Sequence, residues 1–247
     1  MYRFTGNPKR ELTDYLGEFG ITVFDSNDLG DRSDPSFMMG DVHEDVVYYR
    51  VLLEAVKLLN PAAYESKTFN RLKLWGNNPC YHPTDSGYFK DGDVAITLLA
   101  QRQTFLGIAY TYLHEFGHTV EFNYPRFPNR VLHESYYQQR DRCAVPNFFH
   151  DFRTGDLIMF FALASQQDID SFYTHNPFQA RNIAEFEKLR KEIVGDPLER
   201  KNQMLQFIDI VDAAENLRGD VSREKWGKEA TARYVEALHN LRLKLSS

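Results

Sequence analysis

The chain has 247 residues, a length that fits one large domain or one domain with a helical extension. Hydrophobic residues make up 43% of the chain and charged residues 26%, which is typical of a globular protein with a sizeable core. The formal net charge of −6, without any long basic run, disfavours phosphate-backbone binding, so we expect no nucleic-acid partner.

The first 40 residues are polar and are interrupted by glycine and aspartate, which predicts a loop-rich lead-in. Asp28, Asp31 and Asp34 lack the spacing and the closing glutamate of an EF-hand, so a solvated loop is a better interpretation than a calcium site. Residues 46–59 then predict a helix, because their apolar side chains recur near helical spacing until Pro61 stops it.

Two strands are predicted next, because residues 69–75 and 94–98 alternate between apolar and polar side chains. The dipeptide Asp91-Gly92, just before the second strand, is a hairpin signal. From residue 103 the apolar positions change to helical spacing, and this helix carries the motif described below. Further helices are predicted over residues 130–142, 156–165, 177–194, 203–217 and 222–245.

The motif is His114-Glu115-Phe116-Gly117-His118, an HExxH sequence. Histidines four residues apart on a helix project from one face, so both imidazoles can reach one zinc ion at about 2.0–2.1 Å. The glutamate between them points near the same open side, where it can take a proton from a water held by the ion. The alternative is a structural helix with two partly buried, hydrogen-bonded histidines. Gly117 disfavours that alternative, because a glycine inside a helix costs up to about 1 kcal/mol relative to alanine.

On this motif the chain resembles the zincin metallopeptidases, whose active-site helix carries HExxH. The order of a backing helix, strands and then the motif helix is also similar to a zincin over roughly residues 45–190. The resemblance implies zinc held by His114 and His118, and Glu115 as general base. It also implies that the last strand before the motif helix, residues 94–98, is an edge strand that binds extended peptide. The three-histidine form of the motif is absent, since Tyr124 stands where its third histidine would be. The third ligand is therefore expected to be a carboxylate elsewhere in the chain.

Glu185 is the preferred third ligand. Glu185 and Asn182 share one helix face with four apolar residues. A charged side chain on an apolar face is unfavourable unless it is paired, and coordination of a metal ion would provide that pairing. Asn182-Ile183-Ala184-Glu185-Phe186 is also similar to the ligand helix of the lethal-factor-type toxin proteases, whose motif is likewise HEFGH.

Other carboxylates are alternative candidates for the third ligand. Glu134 and Glu236 point away from the apolar stripes of their helices, which is typical of solvated residues. The remaining alternatives are aspartates such as Asp151, Asp156 and Asp170.

Supporting residues are also predicted around the metal. A second hydrogen-bond donor usually stabilises the oxyanion of the reaction, and Tyr173 and His175 are candidates, with turn residues as the alternative. We take Tyr173 as the candidate catalytic partner of the motif glutamate. Thr111 and Glu121 are candidates to orient an imidazole, and exposed helix polarity is the alternative for both.

The sequence thus predicts an α+β, zincin-like fold, with a small mixed or antiparallel sheet packed on the motif helix and a mainly helical C-terminal part. Residues 1–195 would form the catalytic domain and residues 196–247 a helical segment packed on it. The expected function is that of a zinc metallopeptidase acting on a protein or peptide, with the oligomeric state left open. The alternatives are a catalytically silent zincin fold used for binding and a zinc hydrolase of a non-peptide amide.

The cysteines, the N-terminal residues and the length of the apolar runs indicate where in the cell the protein is expected. Cys80 and Cys143 form no CxxC pair, so a thiolate zinc site or a disulfide framework is not expected. The N-terminal residues lack the apolar segment of a signal peptide, and no apolar run approaches about 18 residues. We therefore expect a cytoplasmic protein without a membrane partner. Export by a route that needs no signal peptide is the alternative.

Overall fold

The structure is a computed structural model, and the residues that it describes are 2–25, 42–65, 68–76, 87–97, 105–123, 154–175, 180–196, 198–218 and 228–246. Four strands lie within these residues: β1 (Thr22–Asp25), β2 (Arg71–Gly76), β3 (Gly87–Lys90) and β4 (Asp93–Thr97). The α-helices within them are α1 (Pro8–Gly17), α2 (Val42–Lys57), α3 (Phe105–Asn123), α4 (Thr154–Leu163), α5 (Gln166–His175), α6 (Ala180–Ile193), α7 (Lys201–Arg218) and α8 (Lys228–Ser246). A short 3-10 helix spans Pro61–Tyr64.

The four strands form one mixed sheet in the order β1-β2-β4-β3. β1 pairs with β2 and β2 pairs with β4 in parallel, whereas β3 runs antiparallel to β4. Both residues of the turn between β3 and β4 have positive φ, 53° at Asp91 and 83° at Gly92, as a two-residue type I′ hairpin requires. The predicted hairpin is confirmed, and β3 stands at one end of the described sheet.

The core lies between one face of the sheet and the helices. Alternate residues of β2 and β4 point into it, since Leu72, Leu74, Val94 and Ile96 are fully buried. α3 lies at the centre and packs against α2, α4 and both strands of the hairpin. α4 is apolar on nearly every side, as its sequence predicts, and it forms the most extensive of these contacts with α3. The motif helix is therefore enclosed on most of its surface.

Most elements predicted from hydrophobic periodicity are confirmed to within a few residues at each end, namely α2, β2, β4, α3, α4, α6 and α7. The last predicted helix is confirmed from Lys228 as α8, and its predicted residues 222–227 lie outside the described residues. The coarse prediction of a small mixed sheet combined with helices is also confirmed. The predicted helix over residues 130–142 lies outside the described residues.

The loop-rich lead-in is wrong for residues 8–25, which form α1 and β1. The side chain of Asn7 caps α1 by accepting a hydrogen bond from the backbone N–H of Arg10 at 3.1 Å. Leu12 and Leu16 are fully buried on the inner face of this short helix. α1 packs on α2, and β1 gains its stability from parallel pairing with β2. Asp28, Asp31 and Asp34 lie outside the described residues.

Candidate active site

The two motif histidines lie one turn apart on α3 and face each other. Their Nε2 atoms are 3.2 Å apart, and the ring planes are inclined at 82° with centroids 4.9 Å apart. Within residues 105–120, His114 and His118 are the two residues that are not buried. The helix therefore presents this histidine pair, and little else of that stretch, towards the protein surface.

The separation of the two Nε2 atoms allows a test of whether the pair fits a metal ion. Two nitrogen ligands of a tetrahedral zinc ion, each about 2.0–2.1 Å from it, lie about 3.3–3.4 Å apart. The observed 3.2 Å matches that value closely. The same distance also fits a hydrogen bond between two neutral imidazoles. The Nε2 separation thus suits both a shared zinc ion and a direct hydrogen bond between the rings.

Glu115 lies between the histidines and is 9% exposed. Its Cγ atom lies against the first residue of β3, because a Cβ added to Gly87 would come within 2.8 Å of it. A carboxylate in a largely dry setting interacts more strongly with nearby charge than one in water. Glu115 is therefore enclosed between the motif helix and the hairpin, and its stem is next to the end strand of the sheet.

Thr111, one turn before His114, is also 9% exposed, so the interpretation of Thr111 as exposed helix polarity is wrong. Its Oγ1 hydroxyl donates a hydrogen bond to the carbonyl of Gly107 at 2.9 Å. Because a threonine hydroxyl has one hydrogen to donate, that bond leaves it only its acceptor capacity. The side chain of Glu121, the other candidate to orient an imidazole, lies outside the described part of the chain.

The beginning of α3 is held by a residue that the sequence does not single out. Glu215 of α7 is buried, and its Oε1 accepts hydrogen bonds from the backbone N–H groups of Phe105 at 2.5 Å and Leu106 at 3.4 Å. A carboxylate at this position satisfies free N–H groups and interacts favourably with the helix dipole. Since Glu215 is 110 residues from Phe105 in sequence, no local pattern could indicate this contact.

Aromatic residues also support α3. The hydroxyl of Tyr64 donates to the carbonyl of Val56 at 2.6 Å and lies 2.9 Å from the hydroxyl of Tyr112 on α3. Phe116, inside the motif, packs edge-on against Tyr64 and Phe69. These contacts fix the rotation of α3 about its axis and hence the direction in which the histidine pair points.

The third zinc ligand is not identified among the described side chains. Among these residues, no group of three or more His, Cys, Asp or Glu side chains could hold a metal ion. Glu185 lies on α6, as predicted, but its side chain is outside the described part, as are those of Asp151, Asp156 and Glu134. α6 packs against α4, the helix that covers α3.

Two alternative ligands have described surroundings. Glu236 is exposed on α8, in agreement with its prediction as a solvated residue. Asp170 is exposed on α5, and it accepts a hydrogen bond from Nε2 of Gln166 at 2.7 Å. Both carboxylates therefore have a solvent-facing setting that differs from the apolar surroundings expected for a zinc ligand.

Tyr173 lies on a helix rather than in a turn, because α5 continues to His175. Burial raises the pKa of the Tyr173 phenol, and the negative charge of Glu187 on α6 acts in the same direction. Glu187 is itself paired with Arg190 through two contacts of 2.9 Å, which lower the pKa of the carboxyl. Tyr173 is thus close enough to Glu187, on the helix that carries Glu185, to be affected by its charge, and its role towards an oxyanion stays a prediction.

Comparison of the chain with protein-family models, with curated proteins and with solved structures gives no significant match. No helix among the described residues is both long and apolar enough to cross a membrane.

Proposed function

We propose that the protein is a zinc-dependent metallopeptidase with its active site on α3. The observation that carries this proposal is the 3.2 Å distance between the Nε2 atoms of His114 and His118, which suits two ligands of one tetrahedral ion. Glu115, the proposed general base, is buried next to Gly87 of the hairpin, and Glu185 is the proposed third ligand.

In the proposed hydrolysis of a peptide bond, the zinc ion and the protein side chains have separate roles. Zinc, when bound, supplies a Lewis acid that lowers the pKa of water towards about 7 and polarises a carbonyl oxygen. The Glu115 carboxylate accepts the proton of the attacking water and then passes it to the nitrogen of the leaving amine. Tyr173 is the proposed donor to the oxyanion that forms between these two proton transfers.

The position of β3 favours an extended peptide as substrate. β3 stands at the end of the described sheet, and its first residue, Gly87, lies against Glu115. A peptide that adds to such an edge gains backbone hydrogen bonds, and its side chains then alternate above and below the sheet. A peptide bound in this way would pass close to the proposed general base. The expectation that the edge strand is the last one before the motif helix is wrong, because β4 pairs with β2 on one side and with β3 on the other.

A catalytically silent zincin fold is the second candidate. The observation that favours it is that the same 3.2 Å also suits a hydrogen bond between the two imidazoles. The two candidates differ in whether zinc binds and whether peptide bonds are then cleaved. A zinc hydrolase of a non-peptide amide would use the same residues and differ only in its substrate.

Metal content tests the ligand assignment. We expect wild type to retain about one zinc per chain after dialysis, and His118→Ala and Glu185→Ala to lose it. Glu236→Ala is the matched control, because Glu236 is an exposed helical glutamate, and it should retain zinc like wild type. Zinc lost from His118→Ala but kept by Glu185→Ala would contradict the assignment of the third ligand.

Peptidase activity tests the role of Glu115. Glu115→Gln keeps the shape of the side chain but cannot accept the proton, so activity should fall by about 10²–10⁴-fold while zinc is retained. Full activity of Glu115→Gln on a peptide library would overturn the mechanism. Zinc-loaded wild type that cleaves no peptide of the library would favour the silent zincin fold.

A further inference from the structure

Gly87, the first residue of β3, allows an unusually close approach of the strand to the motif helix. A Cβ added there would lie 2.6 Å from Cγ2 of Thr111 and 2.8 Å from Cγ of Glu115. It would also lie 2.8 Å from the backbone oxygen of Ala95 on β4. Non-bonded carbon atoms prefer about 3.5–4.0 Å, so no residue with a Cβ fits without a shift of the strand or the helix.

Backbone conformation does not explain this glycine. The described glycines with positive φ are Gly6, Gly20, Gly92 and Gly195, and Gly87 is not one of them. An alanine could adopt the backbone of Gly87, so the lack of space is what excludes it. Phe89, two residues on and on the same face of β3, is packed against the core. At Gly87 the side chains of the helix occupy the space that a strand side chain would otherwise fill.

We infer that Gly87 is a positioning residue that fixes the side chain of Glu115, an inference that rests on the proposed function for its catalytic consequence. The backbone of β3 lies against the aliphatic stem of Glu115 and so limits the rotamers open to it. Thr111 fills the adjacent space with its methyl group. The same contact sets the distance between the proposed base and the strand to which an extended peptide would add.

Gly87→Ala and Gly92→Ala provide a matched pair for the catalytic consequence. Both glycines border β3, and alanine at Gly92 is strained because φ is +83° and a Cβ would lie 2.3 Å from Nδ2 of Asn70. Both variants should have a lower Tm than wild type. Only Gly87→Ala should also lower kcat, by about tenfold to a hundredfold, with zinc content unchanged.

A purely structural role for Gly87 would give a different result. In that case kcat per folded, zinc-loaded molecule would match wild type in both variants, and this outcome would overturn the inference. An equal loss of kcat in Gly87→Ala and Gly92→Ala would also overturn it, because it would make the effect a general property of a strained hairpin.

A second measurement tests the contact without relying on activity. Tm is measured for Gly87→Ala in wild type and in a Thr111→Ser/Glu115→Ala background, which lacks both helix atoms that the new Cβ would meet. The drop in Tm should be clearly smaller in this background, since only the Ala95 oxygen still obstructs the Cβ. Equal drops in both backgrounds would show that Gly87 does not position Glu115. If wild type cleaves no peptide, the proposed function fails while this comparison still decides whether the contact exists.

Discussion

The Nε2 atom of His114 lies 3.2 Å from the Nε2 atom of His118, one turn further along α3. The helix around them is buried from Phe105 to Val120 except at these two residues. Glu115 lies between them, against the glycine that begins β3. The fold therefore buries the motif helix on most sides and leaves the two histidine side chains partly exposed.

The cap that Glu215 places on α3 should contribute measurably to stability. Glu215→Ala removes the acceptor of two N–H groups at the start of the helix, so the free energy of unfolding should fall by about 0.5–2 kcal/mol. Urea unfolding of Glu215→Ala measures this change, with the exposed neighbour Asn216→Ala as control. Equal stability of the two variants would mean that the cap contributes nothing.

The two buried tyrosines should respond unequally to loss of the hydroxyl. The hydroxyl of Tyr64 donates its single hydrogen to the carbonyl of Val56. In the hydrogen bond between the two hydroxyls, Tyr112 is therefore the donor and Tyr64 the acceptor. Tyr64→Phe leaves the hydroxyl of Tyr112 without its acceptor in a dry core, which costs about 1–3 kcal/mol. Tyr112→Phe leaves the bond from Tyr64 to Val56 intact and should cost about 0.5–1.5 kcal/mol. Urea unfolding that ranks the variants equally, or in reverse order, would contradict this network.

The ion pair between α1 and α2 should make stability depend on pH. Glu11 accepts two hydrogen bonds from Arg50, at 2.8 and 2.9 Å, and this contact lowers the pKa of the Glu11 carboxyl from 4.5. A carboxyl with a lowered folded pKa stabilises the protein above its unfolded pKa and loses that contribution as pH falls through the folded value. Wild type should therefore exceed Glu11→Gln in stability at pH 7, and the difference should shrink below about pH 4.5.

Thermal unfolding of both proteins over a series of pH values measures this dependence. The control is Asp14→Asn, because Asp14 pairs with Arg10 at the surface with side chains 67% and 78% exposed. Such exposed pairs contribute little to stability, so this variant should follow wild type at every pH. A difference between wild type and Glu11→Gln that does not change between pH 7 and strong acid would contradict the assigned role of the pair.

Hydrophobic periodicity predicted the central elements of the fold. α2, α3 and α4 carry enough apolar residues at helical spacing for their limits to be predicted closely, and Asp91-Gly92 specified the hairpin. α1, β1 and α5 were missed because they are short and mostly polar. The inner face of α1 is formed mainly by Leu12 and Leu16, which are buried. Two apolar residues at helical spacing are too few to predict a helix.

Only those features of the candidate site that depend on residues close together in sequence could be predicted. His114 and His118 lie one turn apart on a helix, so their spacing predicted that their side chains lie together. The contacts of Gly87 with Glu115 and of Glu215 with Phe105 join distant parts of the chain and depend on the tertiary fold. Sequence therefore indicated the chemistry of the motif, whereas the structure was needed to identify what supports it.

The most direct test of the central claim is X-ray absorption spectroscopy at the zinc edge on protein loaded with one equivalent of zinc. The proposal predicts a four-coordinate site with nitrogen and oxygen ligands at about 2.0–2.1 Å and the multiple scattering of two imidazole rings. His118→Ala should lose that imidazole signal. A protein that binds no stoichiometric zinc, or one whose spectrum contains no imidazole scattering, would contradict the assignment of His114 and His118 as zinc ligands.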